Sequence, residues 1–281
     1  MWYNSSVPYA GGKMILPMPH NAQKQKEVVE KMSLKATWIY YRDLRPSNIG
    51  SVKYRHLLLL LFWPIFGLVF MTLEHGVPIL WEWITGKALI YQEVVSVLDA
   101  YIPFCEWFAI PYYFWFVFLV GMVIYGVLFD FRALRHYMWF VILTYTATAI
   151  IYLIWPNMQA LRPVDFPRDN FLTDIVKGLY DFDTNTNVCP SIHVLGSLGV
   201  CFAGLHSRTL KGWGWKSFFV ISTVLITAST VFLKQHSILD VFAALLLGAI
   251  CYPLVIFVIC RREDEHGLPS TPADLPAKEM T

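Results

Sequence analysis

The chain has 281 residues, of which 56% are hydrophobic, 16% aromatic and only 15% charged, with a mean hydropathy of +0.49. That balance excludes an ordinary soluble domain and marks a polytopic membrane protein. The net charge of +2 is small, and nothing in its distribution suggests a nucleic-acid partner.

Residues 1–53 form a polar, basic N-terminal segment. Within it, a helix-like stretch from Asn21 to about Tyr41 sets Lys24, Lys26, Lys31 and Lys35 beside Val28, Val29, Met32 and Ile39. It reads either as a helix lying on an anionic membrane surface or as a partly ordered tail. No charged-then-apolar leader with a cleavage site precedes the first apolar run, so that run is expected to act as a signal anchor.

Apolar stretches near the length of about 20 residues that crosses the hydrocarbon then follow at roughly 55–73, 107–129, 137–155, 190–206, 217–233 and 238–260. The expected fold is all-α, a six-transmembrane helical bundle over residues 54–260. Between the first two spans, Val77-Pro78-Ile79-Leu80-Trp81-Glu82-Trp83 suits an interfacial helix. The long polar loop from Pro156 to Cys189 should cover the ends of the spans on its side. Residues 261–281, rich in proline and acids, read as a disordered tail.

Lysines and arginines orient the bundle. Seventeen flank one set of span ends and five the other, which places both termini in the cytoplasm by the positive-inside rule. The expected location is the cytoplasmic (plasma) membrane, multi-pass. The Pro156–Cys189 loop then faces outward. Gly199 with Ala203, and Ala244 with Gly248, set small residues four apart, so the fourth and sixth spans should pack centrally. Ser222, Thr223, Thr227, Ser229 and Thr230 should turn the fifth span toward protein. Cys105 and Cys189 share the outer side but read as two unpaired thiols, since sequence alone gives no bridging distance.

Two strings stand out: Pro190-Ser191-Ile192-His193 and Lys234-Gln235-His236-Ser237-Ile238-Leu239-Asp240. Both lie at span edges on the same side, which brings two imidazoles and a carboxylate to membrane depth, where such groups are costly and mark function. Pro190 favours a helix start, so a helix N-terminus with Ser191 beside it offers an anion site. His236 and Asp240 are four apart and share a helix face, so the carboxylate can hold and charge-balance the imidazole. Ser237 to Asp240 also fits a capping box, a purely structural alternative. Arg162, just beyond the third span, adds a fork of donors suited to phosphate, or a headgroup anchor.

This set of residue types suits phosphoryl transfer. Negative charge spreads over three oxygens around phosphorus, so the reaction calls for fixed donors, a nucleophile and a proton donor. Arg162, Lys234 and Ser191 are the expected phosphate-binding groups; His236 attacks, Asp240 holds it, and His193 protonates the leaving oxygen and then activates the acceptor. No metal and no cofactor is expected. Asp181–Asn187 imitates the start of a calcium loop, but Thr186 and Ile192 stand where glycine and glutamate belong. HExxH, paired CxxC, P-loop and GxSxG motifs are absent.

In order and spacing these residues resemble the membrane-bound type 2 phosphatidic acid phosphatase superfamily, whose three motifs run K-x6-R-P, P-S-G-H and S-R-x5-H-x3-D. Arg162-Pro163 matches the end of the first, Pro190-Ser191-x-His193 the second, and Ser229-x6-His236-x3-Asp240 the third. Trp155, Ile192 and Thr230 stand where the motif lysine, glycine and arginine belong, so three phosphate contacts are missing. The P-S-I-H and K-Q-H-x3-D forms look like the branch of inositol-phosphorylceramide and sphingomyelin synthase relatives. The resemblance implies metal-independent phosphoryl transfer through a phosphohistidine, acting on a lipid phosphate at the extracytoplasmic face. Water as acceptor makes the chain a phosphatase, and an alcohol makes it a phosphotransferase. A non-catalytic binder or transporter of lipid phosphates is the alternative from another class. The lipid and the oligomeric state are not encoded in any of these motifs.

Overall fold

A computed structural model describes residues 34–274, the side chains at 263 and 264 excepted. The Asn21–Tyr41 stretch therefore lies mostly outside the described residues; what is described is α1, Leu34–Tyr41. The chain is mostly helical. Among the described residues, five helical segments are long and apolar enough to cross a membrane: Arg55–Thr85, Glu106–Leu128, Phe131–Ile154, Trp213–Phe232 and Ile238–Cys260. The protein is thus built as a multi-pass membrane protein.

The expected fourth span is shorter. Helix α7, Ile192–His206, has 15 residues and rises about 22 Å, against a hydrocarbon core of about 30 Å. Ten of its residues are buried, because α4 (Ala109–Leu128), α5 (Phe131–Ile154), α8 (Trp213–Phe232) and α9 (Ile238–Pro253) all pack around it. A helix enclosed by other helices meets little lipid, so neither lipid-facing length nor a uniformly apolar surface is demanded of it.

The first span differs in the opposite sense. It does not stop near residue 73 to leave a separate interfacial helix. A 3-10 stretch from Arg55 to Leu61 runs into α2 (Phe62–Met71), then a π turn over Thr72–Gly76, then α3 (Val77–Thr85), 31 residues in all. Gly86, in the left-handed conformation at φ 67°, ends it with its N–H on the Glu82 carbonyl. One small departure from an all-α chain is a two-residue parallel pairing of β1 (Gln92–Glu93) with β2 (Asn157–Met158), which ties two connecting loops together.

Small residues explain the close packing of α7. A Cβ on Gly204 would lie 2.4 Å from the Phe219 ring of α8, and one on Gly196 would lie 2.5 Å from the Tyr145 hydroxyl of α5. A Cβ on Gly248 of α9 would lie 3.1 Å from the Leu198 side chain, a milder crowding. On α8, Ser222, Thr223, Ser229 and Thr230 are buried as expected, and Thr223 Oγ1 donates to the Ser197 carbonyl. All five cysteines are free thiols.

The two ends of the bundle are distinct. Helix α1 packs where α4 turns into α5: Tyr41 donates to the Val127 carbonyl, and Tyr40 packs on Phe131. Residues 261–274, expected as part of a disordered tail, dock at this same end. Leu268 and Thr271 are buried, Arg135 Nη1 donates to the Pro269 carbonyl at 2.8 Å, and Asp274 accepts from the backbone of Ser270 and Thr271. Apolar anchors within an otherwise polar stretch supply that order. The opposite end carries the starts of α7 and α9 beneath a loop that holds α6 (Phe171–Phe182).

Gly204→Leu should lower thermal stability by about 1–3 kcal/mol, because the added side chain must displace Phe219. Fluorescence-detected size exclusion of heated, detergent-solubilised protein measures it.

Candidate active site

The site is assembled where the short connection between α8 and α9 meets the first turn of α7. Lys234 takes the left-handed backbone conformation at φ 53°, and the N–H groups of Gln235 and His236 both return to the Thr230 carbonyl. The chain thereby reverses within a few residues, and Ser237 caps α9. Asp240 accepts from the Ser237 N–H at 2.9 Å, so the capping box is present. The same Oδ2 lies 3.1 Å from His236 Nδ1. The structural and functional readings of Asp240 are therefore one arrangement.

A carboxylate accepts only, so His236 carries its proton on Nδ1 and directs the Nε2 lone pair away from Asp240. That nitrogen lies 3.4 Å from His193 Nδ1, and the two ring centroids are 5.6 Å apart. His193, in the first turn of α7, rests against Tyr112 and Trp115 of α4 at 4.7 and 4.4 Å between centroids. The N–H of Ser191 donates to the Asp240 carbonyl oxygen at 3.3 Å, joining the two helix starts directly. The sequence expectation that His193, His236 and Asp240 converge thus agrees with the geometry.

Both imidazoles line a cavity of about 130 Å³. Its other walls include Tyr112, Trp115 and Phe116 from α4 and, from the covering loop, Phe182 to Thr184 and Thr186 to Val188. The loop that was expected to cover the span ends does so. It is anchored on its far side by Arg168, which grips the buried Glu106 through two bonds of 2.6 and 2.7 Å, while Asn170 caps α6 and also reaches Glu106.

The expected phosphate-binding residues are placed differently. Lys234 turns away from the histidines: its ammonium donates to the backbone carbonyls of Asp99 and Ile102. Burial lowers its pKa from the ordinary lysine value. Arg162 is similarly engaged. Its Nη1 donates to the carbonyls of Tyr180 and Asp183, its Nη2 to the Thr184 carbonyl and to Gln235 Oε1 at 2.6 Å, and the guanidinium lies 4.6 Å from the Tyr180 ring centroid. A fork that suits phosphate suits clustered carbonyls equally well, and the loop supplies them. Ser191 is fully buried, and its hydroxyl has no partner.

Four residues emerge that the sequence reading did not single out. Gln235 lines the cavity; because Arg162 only donates, Gln235 must offer it Oε1, which leaves the buried Nε2 amide without a partner. Glu74, in the π turn of the first span, accepts from Thr184, Thr186 and Asn187 and fastens the loop that precedes Pro190. Asp99 is buried and accepts from Ser237 Oγ at 2.6 Å and the Ile238 N–H at 2.8 Å, which supports the α9 cap from outside. Asp183 faces the cavity, where burial raises its carboxyl above the usual range while His236 and Arg162 pull it down. An acid inside an apolar run was a legible signal for Glu74. The other three depend on contacts distant in sequence or on their neighbours' orientation.

Among the described residues, no group of three or more His, Cys, Asp or Glu side chains is arranged to hold a metal ion. No family model, curated protein or solved structure matches the chain.

An acid in the cavity opposes an anionic ligand only while ionised. Orthovanadate should therefore bind more tightly as pH falls through the raised pKa of Asp183, and Asp183→Asn should remove that part of the pH dependence while tightening binding at neutral pH. Dissociation constants of orthovanadate for the two proteins, measured by calorimetry across a pH series, test this.

Proposed function

We propose that this protein is an integral-membrane lipid phosphatase that hydrolyses a phosphomonoester or pyrophosphate lipid through a phosphohistidine, with its site at the extracytoplasmic face. The observation that carries the reading is the buried series Asp240, His236 and His193 opening onto one cavity. The described ends of the chain pack at the other end of the bundle, which accords with the charge asymmetry and with cytoplasmic termini. Six crossings follow if the short, enclosed α7 counts as one.

In the first step the Nε2 lone pair of His236 attacks phosphorus, the bond to the leaving oxygen breaks, and His193 gives that oxygen its proton. Asp240 holds the Nδ1 proton and stabilises the cationic ring that forms. In the second step His193 takes a proton from water as its oxygen attacks phosphorus. The phosphorus–nitrogen bond breaks, and inorganic phosphate leaves with His236 restored. At 3.4 Å the two imidazole nitrogens leave no room for a phosphoryl group between them, so phosphorus enters from the cavity side, which both rings line. The unpartnered Gln235 amide and the start of α7 at Ile192 and His193 border that cavity and supply its donors, with the Ser191 hydroxyl buried behind them.

A second reading, transfer of a phospho-headgroup to an alcohol, draws on a specific observation. Arg162 and Lys234 donate to backbone carbonyls, and Asp183 borders the cavity. That environment suits a singly charged phosphodiester better than a dianionic monoester.

Purified protein offered a panel of lipid phosphates, with and without chelator and added alcohol, separates the two readings by product. In either, His236→Ala should lower turnover by at least about 1,000-fold and form no acid-labile phosphoenzyme, whereas His193→Ala should slow both steps and accumulate the phosphoenzyme only from a substrate whose leaving group needs no proton, such as a nitrophenyl phosphate. Turnover that survives in His236→Ala defeats the proposal.

A further inference from the structure

Far from the histidines, a groove of about 340 Å³ lies between α4, α8 and the connection between α7 and α8. Its floor is the buried set Phe118, Met122, Val200, Leu210 and Phe219. Val117, Trp215 and Phe218 form walls that are 63%, 49% and 40% exposed. On the same two helices Val120, Ile124, Ile221 and Val224 are exposed, so the groove opens onto the surface that the bilayer covers. Gly121 lines it, and a Cβ there would meet nothing within 4 Å. Water gains little in such an apolar slot, whereas hydrocarbon fills it without loss.

The rim of the groove is charged in one sense. The stretch from Ser207 to Lys216 contains Arg208, Lys211 and Lys216 and no acid. The nearest carboxylate, Asp130, is buried and already accepts from Ser207 Oγ and from the N–H groups of Ala133 and Arg208. Trp213, with the Lys216 ammonium 5.5 Å from its ring, and Trp215 suit the level of lipid headgroups.

We propose that this groove is a lipid-binding site that takes one acyl chain of an anionic phospholipid from the leaflet opposite the histidines, with its phosphate held by Arg208, Lys211 and Lys216. The occupant is identified by charge complementarity at the rim and by apolar complementarity below it. The site does not depend on the catalytic reading, and its test requires no turnover.

The probes are phosphatidylglycerol and phosphatidylcholine that each carry a diazirine in the acyl chain, added at low mole fraction to nanodiscs holding the full-length protein. Labelled positions are read by mass spectrometry. The phosphatidylglycerol probe should label residues 117–125 and 210–219 in preference to the lipid-facing positions of α9. Gly121→Phe, whose Cβ meets nothing within 4 Å and whose ring would occupy the groove, should cut that labelling about tenfold and leave α9 unchanged, a shift worth about 1.4 kcal/mol. Gly121→Ala should retain it. The combined Arg208→Gln, Lys211→Gln and Lys216→Gln variant should reduce phosphatidylglycerol labelling to the level of phosphatidylcholine. Labelling of wild-type protein that is equal on α4, α8 and α9 would overturn the site, whatever the variants do. Equal labelling by the two lipids in wild-type protein would overturn the anionic assignment.

Discussion

One residue, Asp240, joins the two halves of the site through its side chain and its backbone carbonyl. Asp240 Oδ2 accepts from the backbone N–H that starts α9 and from the His236 ring, and the Asp240 carbonyl accepts from Ser191 at the start of α7. A buried carboxylate is costly unless it accepts hydrogen bonds, and Oδ2 draws them from the α9 cap and from His236, while the backbone carbonyl of the same residue ties that cap to the start of α7. The imidazoles are adjacent because the caps are adjacent. Asp99 repeats the device one layer farther out, accepting from Ser237 and Ile238 from a loop more than 130 residues earlier in the chain.

Three charged side chains at this end of the bundle hold irregular chain in place. Arg162 gathers the carbonyls of Tyr180, Asp183 and Thr184, Lys234 takes those of Asp99 and Ile102, and Glu74 collects the side-chain donors of Thr184, Thr186 and Asn187. Irregular chain at membrane depth has carbonyl and amide groups that no helix satisfies, and long charged side chains are suited to reach them. The Gln235 amide gains its orientation from the same network: Arg162 fixes the oxygen end and leaves the nitrogen end for the cavity.

The helical periodicity, the four-residue spacing of His236 and Asp240 and the small residues on α7 and α9 were all legible in the sequence. Each is a local pattern read within one element. What was not legible is where long side chains end. Arg162 and Lys234 have the chemistry for phosphate and for carbonyls alike, and only the packed loop decides between them. The extent of the first span was hidden by Glu74 and His75, which look like the close of an apolar run. In the structure the Glu74 carboxylate is satisfied by the loop above α7, so the helix continues past it. Proline and acids dominate the composition after residue 260 and hide the docking of residues 261–274, which Leu268 and the backbone around Pro269 supply; residues 275–281 lie outside the described residues.

The brevity of α7 has a geometric corollary. If its inner end is level with those of its neighbours, its first turn stands about 8 Å short of the opposite hydrocarbon boundary. The imidazole of residue 193 then lies below that boundary, level with the start of α9 and beneath the loop that carries α6. A headgroup at the height of its neighbours in the lipid plane is out of reach from there, so any lipid that meets this ring must sink into the protein, drawing its ester linkage below the surrounding leaflet surface.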